Sequence, residues 1–279
     1  MSILDDAFHK LERGKEQLVD FITIIRRNFD EKSFSYVIKA YPYSKPANSK
    51  DPLPWHLYDV HFETVPVFSK RDGILMGEII QSFRSSLDYL AWALYSKSGV
   101  RVKSSQERQI AFPMLSNSTN LTREFDKRLP NVPASERTFI ERYQPYQSTN
   151  SAMFIGWLNT LSNTDKHRVI IPVAVMPLDG KIEFVYGSWG KIITMIKHLE
   201  DGQEVKEGAK VLSVVISGSP PIMNKTPVQV KSNTLRLGTI IPIDLVQARP
   251  PFEAVTLSSA LNCIRDVCIE ILTEARKYF

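Results

Sequence analysis

Apolar positions Ile3, Leu4, Phe8, Leu11, Leu18, Phe21, Ile22 and Ile25 recur near the 3.6-residue period with Lys, Glu and Arg between them. Residues 3 to 29 are therefore predicted to form an amphipathic helix. Phe34 to Tyr41 and Tyr58 to Val67 instead mix aromatic and β-branched residues, which predicts two strands joined by a long loop through the proline-marked segment Tyr41 to Pro54. A second helical stripe follows, made of Ile79, Ile80, Phe83, Leu87, Leu90, Ala91 and Leu94. It predicts a long helix over Lys70 to Ser98, stopped at Gly99.

Beyond an irregular stretch through Ala111-Phe112-Pro113, the pattern predicts shorter helices at Asn120 to Arg128 and Pro133 to Tyr143, separated by Pro130 and Pro133. A further helical run, Met153 to Leu161, is entered from a Ser, Thr and Asn cluster at 148 to 151. After Arg168 the period becomes that of strands. Val169 to Met176, the turn residues Leu178-Asp179-Gly180-Lys181 and Ile182 to Tyr186 together predict a hairpin. Ile192 to Ile196, Val211 to Ile216, Val228 to Val230 and Leu235 to Ile243 continue as strands, and Phe252 to Phe279 is predicted helical behind the Pro250-Pro251 pair.

This order implies an α+β fold over a single domain, residues 1 to 279. Long N-terminal, central and C-terminal helices are expected to pack with an antiparallel sheet or small barrel formed mainly by residues 169 to 243. The helical part comprises 1 to 168 and 252 to 279, with strands near 34 to 67.

Composition narrows the class. With 43% hydrophobic and 23% charged residues the chain can build a packed core, which removes disordered, collagen-like and coiled-coil readings. A net charge of +5 is only mildly basic, so nucleic acid or another anionic ligand is permitted as a partner without being implied. The start Met1-Ser2-Ile3-Leu4-Asp5-Asp6 lacks a basic, apolar export signal, and runs such as Val169 to Met176 are far too short to span a bilayer. Cys263 and Cys268 stand five apart on a predicted helix, about 140° around its axis, which disfavours a bridge between them. Sparse cysteine suits a reducing compartment, so the expected location is cytoplasmic with no membrane association.

Two polar clusters carry the candidate chemistry. Arg84 and Asp88 are neighbours on one face of the long helix, bordered by Gln81 and Trp92. Such a pair could orient a phosphate or a water, or could be an ordinary i,i+4 ion pair. The second cluster is Asn163-Thr164-Asp165-Lys166-His167-Arg168, at a helix-to-strand junction. If that segment is extended, Asp165 and His167 lie on one side, and a carboxylate beside an imidazole is how a general base is held in tautomer and orientation. Alternatively Asp165 caps the turn, Lys166 is solvated, and His167 and Arg168 tie the helix end to a neighbour.

The stretch Gly77-Glu78-Ile79-Ile80-Gln81-Ser82-Phe83-Arg84-Ser85-Ser86-Leu87-Asp88-Tyr89-Leu90-Ala91-Trp92, with Phe112-Pro113 and Asn163 to Arg168 after it, resembles a family of bacterial proteins of uncharacterised activity. In that family the long helix runs approximately G-E-x-x-H-N-L-R-S-A-L-D-H-L and a later segment N-x-D-K-H-R. This chain has Gln81-Ser82 in place of His-Asn and Tyr89 in place of a frequent His. Any metal or proton relay that used those histidines is absent here.

Phosphate loops, nucleophile elbows, His-Glu-x-x-His and Cys-x-x-Cys motifs are missing, so no cofactor and no metal is expected. Aromatic residues beside basic ones, at Arg137-Arg142-Tyr143-Tyr146 and Tyr41-Tyr43-Lys45, could stack on unpaired bases or serve as packing anchors. Two functional expectations follow. In the first, Arg84, Asp88, Asp165, His167 and Arg168 form a structural or binding polar network in a non-enzymatic protein. In the second, a hydrolase or nuclease acts on a phosphate-containing substrate such as RNA or a nucleotide. There His167, Asp165 and Asp88 would be the catalytic groups, and Arg84, Arg168 and Lys166 would bind the substrate.

Overall fold

The computed structural model describes residues 3–29, 34–166, 174–179, 182–186, 190–198, 205–218, 228–233, 236–240 and 256–279. The chain divides into two compact units. One takes its described residues from 1–24, 69–173 and 241–279, the other from 25–68 and 174–240. The fold is α+β, as the order of elements implies.

The first unit is helical. Helix α1 (Ile3–Asn28) is followed by α2 (Lys70–Lys97), whose start is set by a reciprocal cap. Ser69 accepts from the Asp72 amide at 3.1 Å, while the Asp72 carboxylate accepts from the Ser69 amide at 2.9 Å. Gly99, with φ of 69°, ends α2 at the predicted stop. Three short helices come next, α3 (Ser104–Glu107), α4 (Leu121–Arg128) and α5 (Ala134–Glu141), then α6 (Asn150–Lys166) and α7 (Leu257–Ala275). Thr256 caps α7 by accepting from the Ser259 amide.

Helices α2, α6 and α7 pack on one another around Phe83, Leu87, Trp157, Leu161, Ile264 and Ile271, each 1% exposed or less. A side chain of that size removed from water contributes about 1.5–3 kcal/mol, far more than a surface ion pair, so these contacts and not charge set the arrangement. Helix α1 runs antiparallel along α2. Gln17 accepts from the Ser82 hydroxyl at 2.8 Å, Gly14 lies against Phe83, and the Lys10 ammonium sits 5.8 Å from the Tyr89 ring. At Gly14 a Cβ would come within 2.8 Å of the Phe83 ring, so the close approach requires glycine. Helix α6 is longer than the predicted Met153 to Leu161. Its apolar positions Trp157, Leu158 and Leu161 face the other helices, and packing carries it on through the polar residues to Lys166.

The second unit holds an open four-stranded antiparallel sheet in the order β1-β2-β6-β5, formed by β1 (Ser35–Tyr43), β2 (Trp55–Thr64), β6 (Lys210–Gly218) and β5 (Gly190–Lys197). An open sheet replaces the small barrel considered from sequence, and its first two strands come from the 34 to 67 region. Cross-strand rows place Tyr58 opposite Val214 and Val60 opposite Leu212 on one face, all 3% exposed or less. The other face carries Asp59 opposite Ser213 and Leu57 opposite Val215.

The predicted turn residues Gly180 and Lys181 lie outside the described residues, and among the described residues the two strands flanking them pair elsewhere and not with each other. Strand β3 (Ala174–Asp179) pairs with β8 (Arg236–Ile240), and β4 (Ile182–Tyr186) pairs with β7 (Val228–Asn233), each antiparallel. Asp179 stands opposite Arg236 and Ile182 opposite Asn233, and the same three-residue step separates these positions on both strands. A local Asp-Gly turn signal was outweighed by long-range strand pairing, where each added rung brings backbone hydrogen bonds.

Candidate functional site

Arg84 and Asp88 face inward from α2 onto the segment Phe112-Pro113-Met114-Leu115. This segment is buried at Phe112 (0% exposed) and Met114 (9%) yet belongs to no helix or sheet, so its backbone polar groups need partners from side chains. Arg84, 7% exposed, donates from Nη2 to the Phe112 carbonyl at 3.0 Å, from Nε to Asp88 Oδ2 at 3.3 Å, and from Nη1 to the Met114 sulfur. The other carboxylate oxygen, Asp88 Oδ1, accepts from the Phe112 amide at 2.9 Å. Phe112 is held through both its backbone groups, as a sheet neighbour would hold it.

Gln144 completes the clamp from the end of α5. Fully buried, it donates from Nε2 to the Pro113 carbonyl at 3.0 Å and to the Ile140 carbonyl at 3.1 Å, and accepts from the Leu115 amide at 3.0 Å. The role of Gln144 was invisible in the sequence, because an isolated Gln between Tyr143 and Pro145 carries no motif.

Asp165 stands on the last turn of α6, in helical backbone and not in an extended segment. Its carboxylate lies against Gly77 of α2, where a Cβ would overlap it. Gly77 precedes Arg84 by seven residues, about 10 Å along the axis. The two sequence clusters therefore meet the same helix at sites two turns apart. His167 and Arg168 lie outside the described residues, as does the side chain of Lys166. Gln81 is exposed and donates to Ser85, and Trp92 is 37% exposed with its ring against Tyr95.

A second polar network stands in the sheet. Asp59, 5% exposed, accepts from the Lys210 ammonium at 2.7 Å and from the Ser213 hydroxyl at 2.5 Å. Burial alone would raise its carboxyl, but the hydrogen bonds from Lys210 and Ser213 outweigh it and hold the group below the ordinary carboxylate range. The His198 ring nitrogen Nε2 lies 2.8 Å from the same hydroxyl. The set contains a serine, a histidine and an acid, but the serine is in the middle and its proton is committed to the carboxylate. An activated serine nucleophile needs the imidazole in the middle.

Two open hollows lie in the helical unit. One, of about 210 Å³, is lined by Met114, Leu115, Ser116, Asn117, Asn120 and Glu124, and neither Arg84 nor Asp88 lines it. The other, of about 320 Å³, lies between Tyr89 of α2 and Asp6, His9, Lys10 and Arg13 of α1. Among the described residues no cluster of three His, Cys, Asp or Glu is placed to hold a metal ion, and no helix is long and apolar enough to cross a membrane. Comparison of the chain with protein-family models, curated proteins and solved structures yields no match.

Proposed function

We propose that Arg84 and Asp88 form a structural clamp in a non-catalytic binding protein, and that their work is to fasten the Phe112–Leu115 segment to the long helix. The observation that carries this is the commitment of the guanidinium. Each of its three nitrogens already has a partner, on a side chain that is 7% exposed. A phosphate-clamping arginine keeps an open edge toward its ligand. The free thiols Cys263 and Cys268 support a reducing, cytoplasmic setting, and the helix motif around Arg84 and Asp88 supports kinship with the bacterial family it resembles.

The clamp is tested by thermal melting of Arg84→Ala and Asp88→Ala. Removing either leaves a buried charge or backbone group unpaired, at a cost of about 3 kcal/mol, equivalent to a fall in Tm on the order of 6–12 °C. Unchanged melting of both variants overturns the reading. Cleavage of RNA or a nucleotide by the unmodified chain, lost in a folded His167→Ala, would replace it with the hydrolase reading.

A further inference from the structure

The loop joining β1 to β2 is eleven residues long, spans 44–54 and contains Pro46, Pro52 and Pro54. It is nevertheless tightly built around Asp51. The Asp51 carboxylate accepts from the Trp55 indole N–H at 3.0 Å, the Leu53 amide at 3.0 Å and the Ser217 hydroxyl, while its carbonyl accepts from the Lys45 ammonium at 2.9 Å. Pro54 is tied to the sheet by the Gly218 amide at 2.9 Å.

This hub fixes an aromatic ledge. Trp55 stands opposite Tyr43 in the register, and their rings stack with centroids 6.3 Å apart and planes 19° from parallel. Strand alternation puts Lys39, Tyr41 and Tyr43 on the same face, and the outer half of β1 is exposed throughout. Tyr41 is 43% exposed and Tyr43 is 41% exposed. Tyr and Trp are enriched at interfaces, and Tyr43 is held against Trp55 before any partner arrives.

Charge selects among the partners an aromatic ledge could take. Lys39 and Lys50 are exposed, while the half-buried Lys45 is held by the Asp51 carbonyl. The nearby acids are spoken for, Asp51 by the loop and Asp59, which faces Lys39 across the strands, by Lys210 and Ser213. A peptide adding to the sheet edge would meet Pro42, which has no N–H to give. Tyr41 and Tyr43 are about 6.8 Å apart along the strand, twice the ~3.4 Å rise per stacked nucleotide, so each ring can serve one base only where the bases are splayed.

We propose that the outer end of the β1–β2 hairpin binds single-stranded nucleic acid, with successive bases stacked on Tyr41 and Tyr43 and with Lys39 and Lys50 bordering the phosphates. This binding surface is independent of the Arg84–Asp88 clamp. The test is fluorescence anisotropy of the full chain with labelled oligo-uridylate and oligo-thymidylate of about a dozen nucleotides, against a duplex of equal length, at low salt. At least one single strand is expected to bind tenfold or more tightly than the duplex. Tyr41→Ala and Tyr43→Ala should each weaken it by about tenfold, while Tyr41→Phe retains binding. Lys39→Gln and Lys50→Gln should each flatten the dependence of log K on log salt by about 0.7. All four positions are exposed, and circular dichroism checks that each variant folds. Failure of both single strands to bind, equal affinity for the duplex, or full affinity in the two alanine variants overturns the proposal.

Discussion

The carboxylate of Asp165 rests against Gly77 at the helix crossing of α6 and α2, where any β-carbon would overlap it. Alanine inside a helix is favoured over glycine by about 1 kcal/mol, so Gly77→Ala ought to stabilise α2 if nothing stood in the way. Here the aspartate must swing aside. Gly77→Ala alone is expected to fall short of that gain, and Gly77→Ala combined with Asp165→Ala to recover it. Denaturant unfolding of the two single variants and the double measures the coupling, and strict additivity would mean that the two residues do not constrain each other.

Gln144 supplies a harder test of how the irregular segment is held. Gln144→Leu keeps the volume but strips the Leu115 amide and Pro113 carbonyl of their partners. Two backbone groups left unpaired, one buried and one part-buried, cost about 2–6 kcal/mol together. The variant should unfold at clearly lower denaturant with an unchanged slope, and a midpoint equal to wild type would show that solvent replaces the amide at no cost.

The long helix was legible because seven apolar residues repeat on one stripe from Ile79 to Leu94, and their burial is what the fold spends them on. The same pattern could not reveal what Arg84 and Asp88 touch. Their partners lie 24 to 30 residues away in a stretch with no period at all. Hydrophobic periodicity reports which face is buried, not which loop lands on it. The missed β3–β8 and β4–β7 pairings have the same origin. Leu178 to Lys181 has the composition of a turn, while the competing partner strands, Val228–Asn233 and Arg236–Ile240, lie some fifty residues further on, beyond the reach of a local signal. Tyr41, Tyr43 and Lys45 were visible as aromatic and basic neighbours, but only the register shows Tyr43 facing Trp55.

Acid should loosen the contact between α5 and α7. Glu274 accepts from Arg142 at 2.7 Å and from the Tyr143 hydroxyl at 2.7 Å, and these partners hold its carboxyl down at about 2, from an ordinary value of 4.5. A carboxyl depressed by folding stabilises the native state above its unfolded pKa, and that stabilisation is lost as pH falls through the folded value. The loss should therefore run from roughly pH 4.5 down to roughly pH 2, on top of the other carboxylates. Glu274→Gln should melt lower than wild type at pH 7 and show a shallower decline over this window. Parallel curves for the two proteins would remove Glu274 from the acid response.

The two thiols should differ as reporters. Cys268 is fully buried on α7, and burial pushes its thiol up, offset only in part by the charge of Arg84 and a hydrogen bond with Ser86. Cys263 is partly exposed and less withdrawn, though burial and the charge of Asp266 raise it too. Since the thiolate is the reactive form, a disulfide reagent at pH 8 should label Cys263 slowly in the native chain and reach Cys268 only through opening of the helical unit. Arg84 connects this thiol to the clamp. If Arg84→Ala frees the Phe112–Leu115 segment, the opening becomes easier and Cys268 labelling, followed by mass spectrometry, should accelerate while Cys263 labelling does not. Equal rates at Cys268 in wild type and Arg84→Ala would mean that the segment can detach without loosening the α2–α7 packing.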